Sequence, residues 1–207
     1  KERTLSNGMK LLTLERHHSP TIAGGWVVRV GSVNERPGIT GIAHLFEHMM
    51  FKGTPTIGTR DAKRDAEIIN EQERVRDAMR LEEAKMRLAL RRGEIGDLQK
   101  PENKTPRYRE LEVEFNNLIK EQREVLVKNE FDRIYTTAGA SGMNAFTSND
   151  MTGYFITVPA NKLEMWTWME SERLLNPVFR EFYAERDVVF EERRMRTEST
   201  PLGKFQE

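Results

Sequence analysis

Three side chains suited to metal and proton chemistry, His44, Glu47 and His48, stand in the pattern His-x-x-Glu-His within the run Gly41-Ile42-Ala43-His44-Leu45-Phe46-Glu47-His48-Met49-Met50-Phe51. On a helix, positions four apart share a face, so both imidazoles can reach one ion, and Glu47, one turn from His44, stands beside it. Neutral imidazole nitrogens bind zinc well; two of them fix half of a tetrahedron, and a third protein ligand leaves the fourth position for water. Zinc lowers the pKa of that water toward neutrality. A carboxylate within hydrogen-bond reach can take its proton during attack on a peptide carbonyl and later pass it to the leaving amine. Glu47 is placed to be that general base. The plainer alternative is a pair of satisfied histidines on a half-buried helix face. Against it, Ile42, Leu45, Met49 and Phe51 occupy the other faces and leave the His-Glu edge free to be a site.

The elements that must hold this helix can be read from apolar spacing and turn residues. Met9 to Glu15 and Ile22 to Val33 read as strands, the second alternating Trp26, Val28 and Val30 against Val27 and Arg29, with His17, His18, Ser19 and Pro20 as an exposed connection. Gly38 to Gly41 leads into the zinc helix, and Gly53 with Pro55 ends it. Thr152 to Val158 is a further strand closed by Pro159. Asn161 is a candidate cap for a helix carrying Leu163, Trp166, Met169 and Leu174, which Asn176-Pro177 terminates. Trp166 and Trp168 read as core or interface packing. A glutamate-rich helix around Ala184 to Met195 follows. Strands that pair early with late, with helices gathered between them, predict an α+β domain.

Between about residues 60 and 133 the composition changes. Ile68, Val75, Met79, Met86 and Ala89 recur at three-to-four spacing, as do Leu111, Phe115, Leu118 and Val125 with Gln122 as a polar break, while most other positions are charged. Two long helices joined around Gly93, Gly96, Pro101 and Pro106 form, most simply, an antiparallel hairpin. Two readings stay open for it: a solvated, weakly packed coiled coil, or a docking arm for a partner subunit or gate on a substrate chamber.

The order Leu5-Ser6-Asn7-Gly8-Met9, then Gly31-Ser32 with Glu35, then Gly38-Ile39-Thr40-Gly41-Ile42-Ala43-His44 through Phe51-Lys52-Gly53-Thr54, resembles the pitrilysin/insulinase zinc peptidases, whose motif is His-x-x-Glu-His. The resemblance implies an antiparallel-rich mixed sheet with helices packed on it, as in the pitrilysin/mitochondrial-processing-peptidase-like fold. It also implies one Zn2+ per chain. The family's ligand glutamate comes seven residues after another functional glutamate, which selects Glu192 as the third ligand and gives Glu185 a supporting catalytic role, in orienting a ligand or aiding proton transfer. Both fall on one helix face, and Glu191 points elsewhere. Ser141-Gly142-Met143-Asn144-Ala145-Phe146-Thr147 looks like the family's Asn-Ala-x-Thr strand, which pairs with substrate backbone, so Asn144 and Ala145 are the expected substrate contacts. Compact members pass more directly from the zinc helix to this strand, so the helical hairpin is an insertion.

The 207 residues carry 33 basic and 33 acidic side chains, a balance that gives no steering toward nucleic acid or an anionic membrane. Zero cysteines exclude disulfides and a thiolate zinc site. No apolar run is long enough to span a bilayer. The opening at Lys1, without Met or a signal-like segment, implies a targeting peptide removed or never included. By analogy with the family, the expected compartment is a bacterial periplasm or cell envelope, with cytoplasm or mitochondrial matrix as the alternative. The close at Pro201–Glu207, soon after the ligand helix, reads as the N-terminal part of a peptidase domain whose remainder, with a second homologous domain or subunit, lies elsewhere. The function implied is hydrolysis of extended peptides, endopeptidase or oligopeptidase. Rival readings are a non-catalytic subunit of the same family acting in assembly, and a coiled-coil interaction protein.

Overall fold

The computed structural model describes residues 1–197; the segment Pro201–Glu207 lies outside them. Two short strands, β1 (Glu2–Thr4) and β2 (Lys10–Leu12), form an antiparallel hairpin. The main sheet has three strands in the order β3 (Thr21–Val28), β5 (Thr152–Pro159), β4 (Ser141–Thr147), and both pairings are antiparallel. Successive strand residues point to opposite faces, so β5 buries Tyr154, Ile156 and Val158 while Phe155 between them stays exposed. This is the expected α+β class, an antiparallel sheet with helices packed on it and a helical hairpin inserted. Among the described residues, no helix is long and apolar enough to cross a membrane.

Two helices, α4 (Glu130–Thr137) and α5 (Leu163–Leu175), cover one face of the sheet. Phe131, Tyr135 and Met169 from them pack with Ile57, Ile156 and Val158. Each such side chain gains roughly 1.5–3 kcal/mol by leaving water. A charged pair is tolerated in this core because every strong acceptor is used: Glu170 takes hydrogen bonds from Trp26 Nε1 at 2.6 Å, Tyr135 OH at 2.6 Å and Arg173 Nε at 2.8 Å. The Arg173 guanidinium in turn lies 4.9–5.2 Å from the ring centres of Trp26, Phe51, Phe131 and Tyr154, attracted by their negative faces. Phe51 ends the zinc-motif segment, so this cluster fixes that segment over the sheet.

The motif forms α1 (Ile42–Met49), and the chain then enters a projecting pair of antiparallel helices, α2 (Ala62–Arg91) and α3 (Pro106–Val125). Asp61 caps α2 by accepting the Arg64 N–H, and Thr105 caps α3 by accepting the Tyr108 N–H with Pro106 in the first turn. At 1.5 Å per residue, α2 reaches about 45 Å. Ile68, Val75 and Met79 meet Leu111, Phe115 and Leu118 along the seam. Polar Asp65, Gln72 and Glu82 continue the same buried stripe of α2, as Gln122 does on α3.

At the base of this arm, Arg60 N–H donates to Val125 O and Val127 N–H to Gly58 O, which closes the two ends on each other. Arg180, fully buried, pins the base to the site: Nε donates to Asp65 Oδ2 at 2.6 Å, and its other nitrogens reach the carbonyls of Lys52, Thr54 and Ile57. Gly53 and Gly58 both adopt positive φ, and a Cβ at either would stand 3.0 Å from the Arg180 guanidinium. Glycine is required there on both counts.

Three sequence expectations differ from the fold. The strand expected from Met9 to Glu15 is only Lys10–Leu12, because its partner β1 is three residues long. The alternation through Val33 predicts a longer second strand, yet β3 ends at Val28. Ser32–Asn34 instead forms a 3-10 turn whose Ser32 and Val33 N–H groups donate to Ser148 O and Asn149 O, so the chain leaves the sheet to wrap the β4–β5 turn. Asn161 lies within a 3-10 turn, Ala160–Lys162, and α5 begins without a side-chain cap. Trp166 packs against the core over Gly24, whereas Trp168 is half exposed.

Candidate metal centre

Glu35 starts the site. Its two carboxylate oxygens accept the N–H groups of Gly41 at 2.7 Å and Ala43 at 2.8 Å, satisfying donors at the α1 N-terminus and placing a negative charge at the positive end of the helix dipole. Gly41 takes φ +93° as the chain turns into the helix. With α1 fixed, His44 and His48 project together, their ring centres 4.8 Å apart and nearly perpendicular.

The third group comes from α6 (Phe182–Thr197), which packs on α1. Glu192 Oε2 lies 3.5 Å from His44 Nε2, and Oε1 lies 3.9 Å from His48 Nε2. One ligand atom from each of His44, His48 and Glu192 falls within 4.8 Å of the others. Bonds of about 2.0–2.2 Å in a tetrahedron put donor atoms roughly 3.3–3.5 Å apart, so two imidazole nitrogens and a carboxylate at these separations fit a zinc ion. Glu191 turns away and pairs with Arg194 at 3.0 Å.

Glu185, two turns before Glu192, meets the other side of His48: Oε2 is 3.3 Å from Nδ1, while Oε1 accepts from Lys52 Nζ at 2.5 Å. The contact with Glu185 raises the His48 pKa above its ordinary value against the opposing effect of burial. The same contact, aided by Lys52, holds the Glu185 carboxyl at about 2. Glu47 is bound from across the gap to β4, where Thr147 Oγ1 donates to its Oε2 at 2.5 Å.

Asn144 and Ala145 sit on β4 next to this centre, and β4 pairs with β5 along one edge only among the described strands. The Ala145 N–H is held by its neighbour's Asn144 Oδ1 at 2.9 Å. Both residues line a cavity of about 430 Å³ together with Glu47, His48 and Phe51. Ala145 and Glu47 also border a second cavity of about 660 Å³ that runs past His44 and Phe190. The centre therefore stands between two cavities along one strand edge. His17 and His18 stay exposed, outside the group that approaches a common ion position.

The family model described as Insulinase (Peptidase family M16) matches residues 10–75, a span that holds His44, Glu47 and His48. Over that span the chain resembles the insulinase-type zinc peptidases. A protein named "Uncharacterized zinc protease" from Rickettsia bellii is 46% identical over 63 residues, which cover 30% of this chain and 15% of that protein. The zinc protease PqqE of Helicobacter pylori is 26% identical over 203 residues, 97% of this chain and 30% of that protein. The crystal structure of a protease from Helicobacter pylori superposes with a TM-score of 0.58 at 25% identity, over 99% of this chain and 33% of that one. The chain thus spans about a third or less of the length of these relatives.

Several residues at the site escaped sequence reasoning. Thr147 and Glu35 belong to the segments that carry the family resemblance, but no spacing rule links either to its partner. Lys52 belongs to such a segment too, yet its carboxylate partner Glu185 lies far along the chain; Arg180 lacks even that signal and finds Asp65 as far away.

Proposed function

We propose that this domain supplies the metal ligands and the general base of a zinc peptidase that hydrolyses extended peptides. The observation that carries the reading is the convergence of His44, His48 and Glu192 within 4.8 Å, with Glu47 on the same helix turned to a neighbouring strand. His44, His48 and Glu192 would hold one Zn2+. When bound, zinc supplies a Lewis acid that polarises a carbonyl and makes water a nucleophile near neutral pH.

The chain's own groups supply the rest. Thr147 occupies Glu47 Oε2, which leaves Oε1 to accept a proton from the attacking water as its oxygen bonds to the scissile carbonyl carbon. Glu47 returns that proton to the amine as the carbon–nitrogen bond breaks, so it ends the cycle ionised as it began. Glu185 accepts the Nδ1 hydrogen of His48, which leaves Nε2 as the ligand nitrogen. A peptide laid along the open edge of β4 would form main-chain hydrogen bonds independent of its sequence, displacing Asn144 Oδ1 from the Ala145 N–H. The opposite wall of the substrate site, and groups that stabilise developing charge there, are assigned to a second homologous domain or subunit.

Metal analysis of the full-length protein tests the ligand set. One zinc per chain is expected, lost on His48→Ala or Glu192→Ala and kept on Glu191→Ala. Zinc that survives Glu192→Ala, or its absence from the unaltered protein, overturns the assignment.

A further inference from the structure

Lys52 follows α1 by three residues, and its backbone is held at both ends: its N–H donates to Met49 O at 3.1 Å, and its carbonyl accepts from the buried Arg180 guanidinium at 3.2 Å. Its side chain is 21% exposed and reaches Glu185 Oε1 at 2.5 Å, with Glu181 Oε2 more distant at 3.5 Å. The other oxygen of the same Glu185 carboxylate meets His48 Nδ1 at 3.3 Å. Lys52, Glu185 and His48 thus form a chain in which the carboxylate is gripped by one oxygen and presents the other.

We infer that Lys52 is a positioning residue for the metal centre: it fixes the rotation of the Glu185 carboxylate, so that the imidazole of His48 is held with Nε2 facing Glu192. A carboxylate on the last bonds of a glutamate side chain rotates freely unless both oxygens have partners, and holding a charged side chain in one geometry requires a rigid anchor. Lys52 has that anchor in its own backbone contacts. It stands 2.5 Å from Glu185 and is not part of the group of His44, His48 and Glu192 that approaches a common ion position. Its effect must therefore pass through Glu185. Outer partners of metal-binding histidines typically alter affinity by about 10–100-fold when removed. The inference rests on the zinc reading above.

The test compares zinc affinity, by chelator competition on metal-free full-length protein, for the unaltered sequence, Lys52→Met, Lys52→Arg, Glu185→Gln and the double variant Lys52→Met/Glu185→Gln, with unfolding midpoints recorded for each. Lys52→Met keeps the aliphatic stem and is expected to weaken zinc about tenfold, Lys52→Arg to restore most of that loss, and the double variant to bind no more weakly than Glu185→Gln alone. An ion pair that merely ties α1 to α6 would shift the unfolding midpoint and leave zinc affinity unchanged, and that result overturns the inference. So does a Lys52→Met loss that adds in full to the Glu185→Gln loss. If the unaltered protein binds no zinc, the failure lies in the proposed function and takes this inference with it; unaltered protein that binds zinc beside an equally tight Lys52→Met defeats the inference alone.

Discussion

In the helical arm, the residues that meet recur every three or four positions along two consecutive helices, Ile68, Val75 and Met79 against Leu111, Phe115 and Leu118. The candidate metal face instead gathers His44 and His48 from α1, Thr147 from β4, and Glu185 and Glu192 from α6, elements separated by most of the chain. The arm is held by a mostly apolar seam that forms as the hairpin closes. The site is made of half-buried polar groups, with His44 and Glu192 side chains 20% and 30% exposed, so its geometry depends on how distant elements are fastened. The two regions join at Arg180 and at Tyr183 of α6, whose ring meets Phe115 of the arm at 5.3 Å. Gln72 donates to Gln122, Gln122 and Arg180 both donate to Asp65, and Arg180 also grips the carbonyls that follow α1. A feature that looks like surface decoration is thereby anchored through a buried arginine to the loop beside the candidate metal site.

Cutting the Arg180 join should have the largest effect. Asp65→Ala leaves the Arg180 charge buried without its carboxylate, and losing one partner of a buried pair costs about 3–5 kcal/mol. Chemical denaturation of the full-length protein should show a loss of that order, and a loss below about 1 kcal/mol would mean the arm is not fastened here. A smaller effect sharpens the contrast between self-contained arm and long-range site. Met79→Ala opens a cavity within the arm seam and should cost about 2–4 kcal/mol, yet leave zinc affinity unchanged. Zinc affinity falling together with stability in that variant would show that arm and site are a single cooperative unit.

The sequence was legible where chemistry and local periodicity coincide. The spacing of His44, Glu47 and His48 places them together on any helix, and the structure does form one there. The apolar seam of the arm was legible for the same reason. Polar members of that seam were not: Asp65, Gln72 and Glu82 continue the three-to-four spacing, but a reading that follows apolar residues passes over them. The end of β3 was hidden because Val30 and Val33 keep a strand-like pattern while Gly31 packs tightly on the β4–β5 turn, where a Cβ would stand 2.2 Å from Ser148 O. That constraint is set by a neighbour over a hundred residues away. The contacts of Thr147 with Glu47 and of Lys52 with Glu185 were hidden likewise, since only the packing of β4 and α6 beside α1 creates them.

In the proposed hydrolytic centre, binding of metal and movement of the proton are separate duties. Glu47→Gln keeps the shape and most of the hydrogen-bonding reach of the side chain but removes the base. Zinc content and peptide cleavage, measured on the same preparation of the full-length variant, separate these duties. One zinc per chain with turnover reduced about a hundredfold or more is expected; near-normal cleavage by the zinc-loaded variant would contradict a base role for Glu47.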